Sequence, residues 1–156
     1  MNPDVFISYS TEDSKFARWV YDRLVQDDVS VFLAEISLKE GQTWDETILA
    51  NLRAADYFLF LASRRACASE FVNQEVGAAL SHNKFIIPVV WDMPPSALPG
   101  FLKRTQACDM RSKDPMRLMR VLGRVTITVK RNRMISFAIV ALLVAALIWV
   151  FCRKKG

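Results

Sequence analysis

The residues best suited to chemistry are a glutamate and a set of hydroxyl side chains near the ends of apolar runs. Glu75 lies in a helical pattern with Phe71 four residues before it, so the two share one helix face. One apolar run ends in Ser8 and is followed by Tyr9 and Ser10. A later apolar run is followed by Ser63. A carboxylate beside hydroxyl groups can hold a polar ligand and stabilise positive charge that develops on it.

Short apolar runs alternate with helical patterns through the first 110 residues. The runs are Val5 to Ser8, Val29 to Leu33, Tyr57 to Leu61, Phe85 to Trp91 and, at the edge, Gln106 to Met110. Near-continuous apolar runs of this length are typical of strands buried on both faces of a parallel sheet. Helical patterns cover residues 13–28, 43–55 and 69–81. We therefore predict an α/β fold with a doubly wound parallel sheet, in which ligands bind beyond the carboxyl ends of the strands.

The helical patterns also indicate where helices begin and which sides pack. Asp13 or Ser14 can cap the first helix, and Thr43 followed by Glu46 forms a capping-box pattern at the second. Pro115 is placed to open a later helix. On the third helix the residues expected to pack on the sheet are Val72, Val76, Ala79 and Leu80, and Glu75 is expected at the border of this stripe.

Several kinds of site are excluded by the residues present. The sequence contains neither the G-x-G-x-x-G string of dinucleotide-binding folds nor the G-x-x-x-x-G-K-[ST] string of phosphate-binding loops. His82 is the only histidine, and no nucleophile motif lies near it. Cys67, Cys108 and Cys152 contain no C-x-x-C pair, which argues against structural zinc and a disulfide framework. We therefore expect no metal and no bound cofactor.

The C-terminal part of the sequence has a different composition. Residues 134–152 form a run of 19 residues with Ser136 as its only plainly polar member. A helix of that length spans about 28 Å, close to the ~30 Å hydrocarbon thickness of a bilayer. The predicted organisation is a folded domain over 1–112, a basic juxtamembrane helix or linker over 113–133, a transmembrane helix over 134–152 and a short basic tail over 153–156.

Charge is distributed so that the large domain is expected in the cytoplasm. Residues 1–102 carry 8 Lys/Arg and 14 Asp/Glu, whereas residues 103–133 carry 10 basic and 2 acidic residues. Cations beside a membrane span favour the cytoplasmic side and attract anionic lipid. We therefore expect a single-pass inner-membrane protein whose C-terminus lies across the membrane, with membrane lipid rather than nucleic acid as the partner of the basic segment.

Four strings taken together resemble a known family. They are DVFISYSTEDSKFARWVYDRL, VFLAEISLKEGQTWDETILANLRAADYFLFLAS, SEFVNQEVGAAL and FIIPVVWD, in this order. Over about residues 3–110 the sequence resembles a bacterial TIR (Toll/interleukin-1 receptor) domain. The resemblance implies a five-stranded, flavodoxin-like parallel sheet with helices on both faces. It also implies a BB loop at about 34–43, of which Glu35, Leu38, Lys39 and Gly41 would serve assembly through contacts between TIR domains.

The resemblance also implies an activity. Many bacterial TIR domains, including those of antiphage defence systems, cleave NAD+ at the nicotinamide–ribose bond, with a catalytic glutamate in a W-x-x-x-E string. The matching string runs from Phe71 to Glu75, so the glutamate is carried over to Glu75 and Phe replaces Trp. Phe71 would stack on nicotinamide, and the predicted substrate-binding residues besides it are Ser8, Tyr9, Ser10 and Ser63. NAD+ would be the substrate, and either water or the adenine of the same molecule would capture the ribosyl cation.

A second interpretation belongs to a different functional class. The chain could be a non-catalytic TIR interaction module that forms homo-oligomers at the membrane and recruits partners, or whose transmembrane helix is itself the effector after clustering. Glu75 favours the enzyme, and the replacement of Trp by Phe71 favours the module. Release of nicotinamide by clustered protein distinguishes the two.

Overall fold

A computed structural model describes residues 2–33, 44–112 and 115–153. The side chains at 44, 45, 115 and 147–153 lie outside this description. The predicted cap Thr43 and the predicted BB loop lie outside the described residues as well. The folded part is a sheet with helices on both faces, followed by one long helix.

Five parallel strands form the sheet. They are β1 (Val5–Ser8), β2 (Val31–Leu33), β3 (Tyr57–Leu61), β4 (Phe85–Val90) and β5 (Cys108–Asp109). The strand order is β2-β1-β3-β4-β5, and every neighbouring pair is parallel. The predicted five-stranded parallel sheet is therefore confirmed. The order reverses at β1, which makes its carboxyl end the expected ligand-binding position of such a sheet.

In the described residues, five α-helices connect or follow the strands. They are α1 (Ser14–Gln26), α2 (Trp44–Ala54), α3 (Arg64–Ala68), α4 (Glu70–Ser81) and α5 (Pro115–Arg153). The short helix α3 is absent from the sequence prediction, whereas Pro115 opens α5 as expected. Short 3-10 turns at Thr11–Asp13, Pro95–Ala97 and Gly100–Leu102 complete the described elements.

Side chains that alternate along each strand supply two separate cores. Phe6 on β1 stacks with Phe32 and Phe58 at ring-centroid distances of 5.1 and 5.4 Å, and this face is covered by α2 and α4. Val5 and Ile7 point to the opposite face, which is covered by α1 and α5. Because Ser8 alternates with Ile7, its side chain lies on the α4 face of the sheet.

The first part of α5 belongs to the folded domain. Leu118, Leu122, Val125 and Val129 are buried against the sheet together with side chains of α1. The packing therefore continues past residue 112, where the sequence places the end of the domain. At the end of this packed part, Arg133 forms an ion pair with Asp4 and donates a hydrogen bond to the Asp28 carbonyl oxygen at 3.0 Å.

Beyond Arg133 the helix leaves the domain. Apolar side chains from Met134 to Val144 are about half exposed or more, and residues 134–146 have no buried member. In the part of the chain that the structure describes, no helix is long and apolar enough to cross a membrane. The predicted span 134–152 includes side chains, from 147 onward, that lie outside the described residues.

Candidate active site

The carboxyl group of Glu75 and the hydroxyl group of Ser8 lie together at the carboxyl end of β1. Ser8 Oγ donates a hydrogen bond to Glu75 Oε2 at 2.5 Å. Both residues are buried, with 7% of Glu75 and 1% of Ser8 exposed. A glutamate is seldom buried unless another group compensates for the lost hydration. The structure thus brings together two residues that the sequence proposed for one site.

Helix α4 carries Glu75 into this position. Its buried side chains include Val72, Val76 and Ala79, which pack on the sheet as predicted, and Glu75 belongs to the same buried face. Ser69 begins the helix because its side chain accepts a hydrogen bond from the Val72 N–H at 3.3 Å. The prediction that Leu80 completes the packed stripe is wrong: it is 38% exposed near the end of the helix.

The environment of Glu75 changes its acidity. Burial raises the pKa of this carboxyl from 4.5 to about 7, and the hydrogen bond from Ser8 opposes the rise. At neutral pH the group is therefore divided between its ionised and protonated forms. A carboxyl whose pKa lies near the working pH is common at catalytic sites, because it can be anionic and exchange a proton there.

The other predicted substrate-binding residues differ in exposure. Phe71, one turn before Glu75, is 36% exposed at the start of α4. Tyr9 is partly buried and packs against the core on the α1 face, whereas Ser10 lies in the turn that follows β1. The positions agree with a site at the carboxyl edge of the sheet, and the assignment of these side chains to a substrate stays a prediction.

Ser63 has a structural role in addition to its predicted one. Its hydroxyl group accepts a hydrogen bond from the Ala66 N–H at 3.0 Å and so caps α3. The same hydroxyl donates to Asp13 Oδ2 at 2.5 Å. Asp13 is one of the two residues predicted to cap α1. It occupies the N-cap position, but its side chain forms no capping hydrogen bond and accepts the Ser63 hydroxyl instead. The Asp13 carboxylate is therefore a second acidic group at the strand ends, and the sequence prediction did not include it. Its position soon after β1 indicated that it could lie there.

Two more polar contacts fasten the loops at this edge. Asp92, just after β4, accepts the Arg64 N–H with both carboxylate oxygens at 3.1 Å. Arg64 Nε also donates to the Asp92 carbonyl oxygen at 3.0 Å. On the other side, Arg65 forms an ion pair with Glu12. Helix α3 is therefore held between the loops that follow β1 and β4, and neither contact was predicted from the sequence.

The predicted assembly residues Glu35, Leu38, Lys39 and Gly41 lie outside the described residues, so their roles stay predictions.

Among the residues that the structure describes, no group of three or more His, Cys, Asp and Glu side chains could hold a metal ion. Burial raises the pKa of the Cys67 thiol to about 11, which keeps it in its poorly nucleophilic protonated form.

Comparison with known proteins agrees with this architecture. The family model described as TIR domain matches residues 5–122. A protein of Brachypodium distachyon named probable 2' cyclic ADP-D-ribose synthase BdTIR is 33% identical over 97 residues. That alignment covers 61% of this chain and 43% of the plant protein, so the chain spans less than half of that relative.

Two solved structures show the same fold at low sequence identity. The TIR domain of the Toll-related receptor TRR-2 from Hydra magnipapillata has a TM-score of 0.69 and 19% identity, over 80% of this chain and 98% of the other. A metazoan TIR-STING receptor from C. gigas has a TM-score of 0.67 and 18% identity, over 80% of this chain and 39% of the receptor. The match to the family model covers well over half of the chain, which therefore belongs to the TIR domain family.

Proposed function

We propose that this protein cleaves NAD+ at the bond between nicotinamide and ribose, with Glu75 as the catalytic residue. The observation that carries the proposal is the buried Glu75 carboxyl group at the strand-order reversal, bonded to Ser8 and with its pKa raised to about 7. The relative named as a probable 2' cyclic ADP-D-ribose synthase supports the same reaction class. Residues 134–152 would hold the domain at a membrane, with bacterial defence signalling as the proposed setting.

The reaction suits a site with one carboxylate. The bond between ribose C1' and the nicotinamide nitrogen breaks, and both electrons leave with nicotinamide, which becomes neutral. Because this leaving group needs no proton, the pair of carboxyl groups that glycosidases use is not required. Positive charge builds on the ribose, and an anionic Glu75 would stabilise it. Capture by water would release a proton and give hydrolysis, whereas capture by a nucleophile of the same molecule would give a cyclic product.

Ser8 would act as a positioning residue in this reaction. Its hydroxyl holds one carboxylate oxygen of Glu75, so the orientation of the carboxylate relative to the strand ends is fixed. The hydrogen bond also favours the anionic form that the reaction needs, against the effect of burial. Phe71 would offer an exposed aromatic face for nicotinamide one helical turn away.

The test is nicotinamide release from NAD+ by the full chain reconstituted at high density in lipid vesicles. We expect Glu75→Gln to lower turnover by a factor of about 100 or more, because a lost charge-stabilising group costs about 3–4 kcal/mol of barrier. Glu70→Gln is the matched control, since Glu70 lies on the same helix and is exposed. Native turnover in Glu75→Gln would disprove the proposal.

A non-catalytic interaction module is the second candidate function. It is favoured by the burial of Glu75, of which only 7% is exposed, and by the apolar end of α5 that packs on nothing in the described part of the chain. In this case the clustered protein would release no nicotinamide under any condition. Cross-linking would still detect homo-oligomers in the membrane.

A further inference from the structure

A groove lies between the edge of the sheet and α5. It has a volume of about 950 Å³, which is within the range of small-molecule sites. One wall is the outer edge of β4, where β5 pairs only with Val89 and Val90 and leaves the strand from Phe85 to Pro88 uncovered by a further strand. The other wall is α5, and none of the residues at the candidate active site lines this groove.

The groove is strongly cationic. Lys84, Arg117, Arg120 and Arg124 line it, and none of the described residues that line it is an aspartate or a glutamate. The three arginines lie at positions i, i+3 and i+7 of α5, so they form one row about 10 Å long. Among the residues that the structure describes, no carboxylate lies within ion-pair distance of Arg117 or Arg124, and Asp109, which is paired with Arg111, is the carboxylate that interacts with Arg117 through space. Such a row provides planar, bidentate donors for phosphate groups.

Aromatic and hydroxyl side chains complete the lining. Phe85 is 64% exposed and meets Tyr57 edge to face at a ring-centroid distance of 5.6 Å. Both rings begin strands and line the groove, where they offer a surface on which a flat ring can stack. Thr105, Ser112 and Thr128 add hydroxyl groups. Arginines at one side and exposed rings at the other suit a ligand that has both phosphates and an aromatic base.

The position of the arginine row along α5 argues against a lipid headgroup. Arg124 precedes Met134, the first residue of the apolar segment, by ten positions, and Arg117 precedes it by seventeen. The row therefore lies about 15–25 Å along the helix from that segment. The field of an anionic membrane surface falls off within a Debye length of about 8 Å. A ligand of this groove would have to come from solution.

We infer that the groove between β4 and α5 binds a soluble phosphorylated nucleoside, with its base against Phe85 and its phosphates against Arg117 and Arg124. This inference does not depend on the proposed NAD+ cleavage, since the two sites share no residue.

Calorimetric titration of ADP into the full chain in detergent micelles tests the inference. We expect saturable binding to the native protein with a Kd below about 1 mM. The double variant Arg117→Gln/Arg124→Gln should weaken ADP binding at least tenfold, because both phosphate donors lose their charge. The matched control is Lys103→Gln/Arg104→Gln, which removes two exposed cations outside the groove and should leave binding unchanged. Both pairs are exposed, so neither change should unfold the domain.

Two further ligands, inorganic pyrophosphate and phosphatidylserine vesicles, show whether the groove recognises the base, the phosphates alone or a lipid. Phe85→Ala should weaken ADP binding several-fold without affecting inorganic pyrophosphate, whose binding to the native protein should be weaker than that of ADP. Three results would overturn the inference: no saturable binding of ADP, equal ADP affinity in the arginine variant, or equal affinities of pyrophosphate and ADP. Loss of binding to phosphatidylserine vesicles in the arginine variant, without an effect on ADP, would assign the row to lipid instead.

Discussion

Ser8 and Glu75 are 67 residues apart in the sequence and share a hydrogen bond of 2.5 Å in the folded protein. The bond joins the end of β1 to the middle of α4, so it exists only after the sheet and the helix have packed. This contact orients the candidate catalytic group and lowers its pKa, against the larger rise that burial causes. Removing either partner should therefore change properties that can be measured separately.

The pH dependence of the proposed NAD+ cleavage should follow the ionisation of Glu75. Since the pKa of Glu75 is about 7, turnover by the native protein should rise as the pH increases through this value. Ser8→Ala removes the bond that favours the anion, so the midpoint should move to higher pH and turnover at pH 7 should fall. Ser81→Ala, an exposed serine at the end of α4, is the control. A midpoint unchanged in Ser8→Ala would exclude the positioning role.

Stability should depend on pH through the same carboxyl group. The folded protein keeps the Glu75 proton up to about pH 7, whereas the unfolded chain loses it near 4.5. Between these values unfolding releases a proton, so the free energy of unfolding decreases as the pH rises. In Glu75→Gln the side chain at this position stays neutral, so the variant avoids this decrease in the free energy of unfolding. At pH 8 the variant should be more stable than the native protein by up to about 3 kcal/mol.

The measurement is thermal unfolding of both proteins at pH 5 and pH 8. We expect the Tm advantage of Glu75→Gln to be several degrees larger at pH 8 than at pH 5. Glu70→Gln again supplies the control, because its side chain is exposed. An advantage that is the same at both pH values would show that burial does not change the acidity of Glu75.

The contact between Arg133 and the start of β1 should stabilise the packed part of α5. Arg133→Met removes the ion pair to Asp4 and the hydrogen bond to the Asp28 carbonyl oxygen, whereas the Asp4 carboxylate still accepts the Ser30 N–H at 2.7 Å. The expected loss is about 1–2 kcal/mol of unfolding free energy, measured by denaturant titration. Arg131→Met is the control, because Arg131 is an exposed neighbour. Equal stability of both variants would mean that the contact contributes nothing.

The sheet could be predicted from sequence because its strands are apolar runs bounded by polar residues. Val5–Ser8 and Tyr57–Leu61 coincide with their predictions, and the other strands are shorter than predicted because strand pairing covers only part of each predicted run. Helix α3 was missed because five residues are too few for a periodic pattern. Its first turn is held by the local cap from Ser63 and by Asp92, and the second of these contacts is one that only the fold creates.

The candidate site was predictable in part for a similar reason. Helical spacing placed Glu75 beside the packed stripe, but periodicity could not show that it would be buried and bonded to Ser8. The bond between Asp13 and Ser63 was missed because a carboxylate before a helix is usually a cap. Long-range polar pairs of this kind depend on strand order, which local sequence patterns do not encode.

The proposed membrane orientation predicts the result of proteolysis. The basic segment before Met134 should keep the TIR domain in the cytoplasm. Protease added to intact spheroplasts should therefore leave the domain undigested, and protease added after lysis should digest it. A tag after residue 156 should show the opposite accessibility. Digestion of the domain in intact spheroplasts would mean that the orientation is inverted.

The last prediction concerns assembly at the membrane. The proposed anchor would confine the domains to two dimensions and raise their effective concentration, so that a weak contact between TIR domains would suffice for the proposed activity. Turnover per molecule in vesicles should therefore rise with the surface density of the full chain. Gly41→Arg should abolish this rise, because a bulky side chain in the predicted BB loop excludes backbone conformations open only to glycine.

The control for assembly is Gly77→Ala, a glycine of α4 where an added Cβ meets no atom within 4 Å. We expect this variant to retain the dependence on density, and circular dichroism should show that both variants are folded. The relevant comparison is turnover per molecule at the lowest density, where native protein and Gly41→Arg should be equally slow. Full turnover by native protein at that density would show that one chain contains the complete site, and the anchor would then determine location alone.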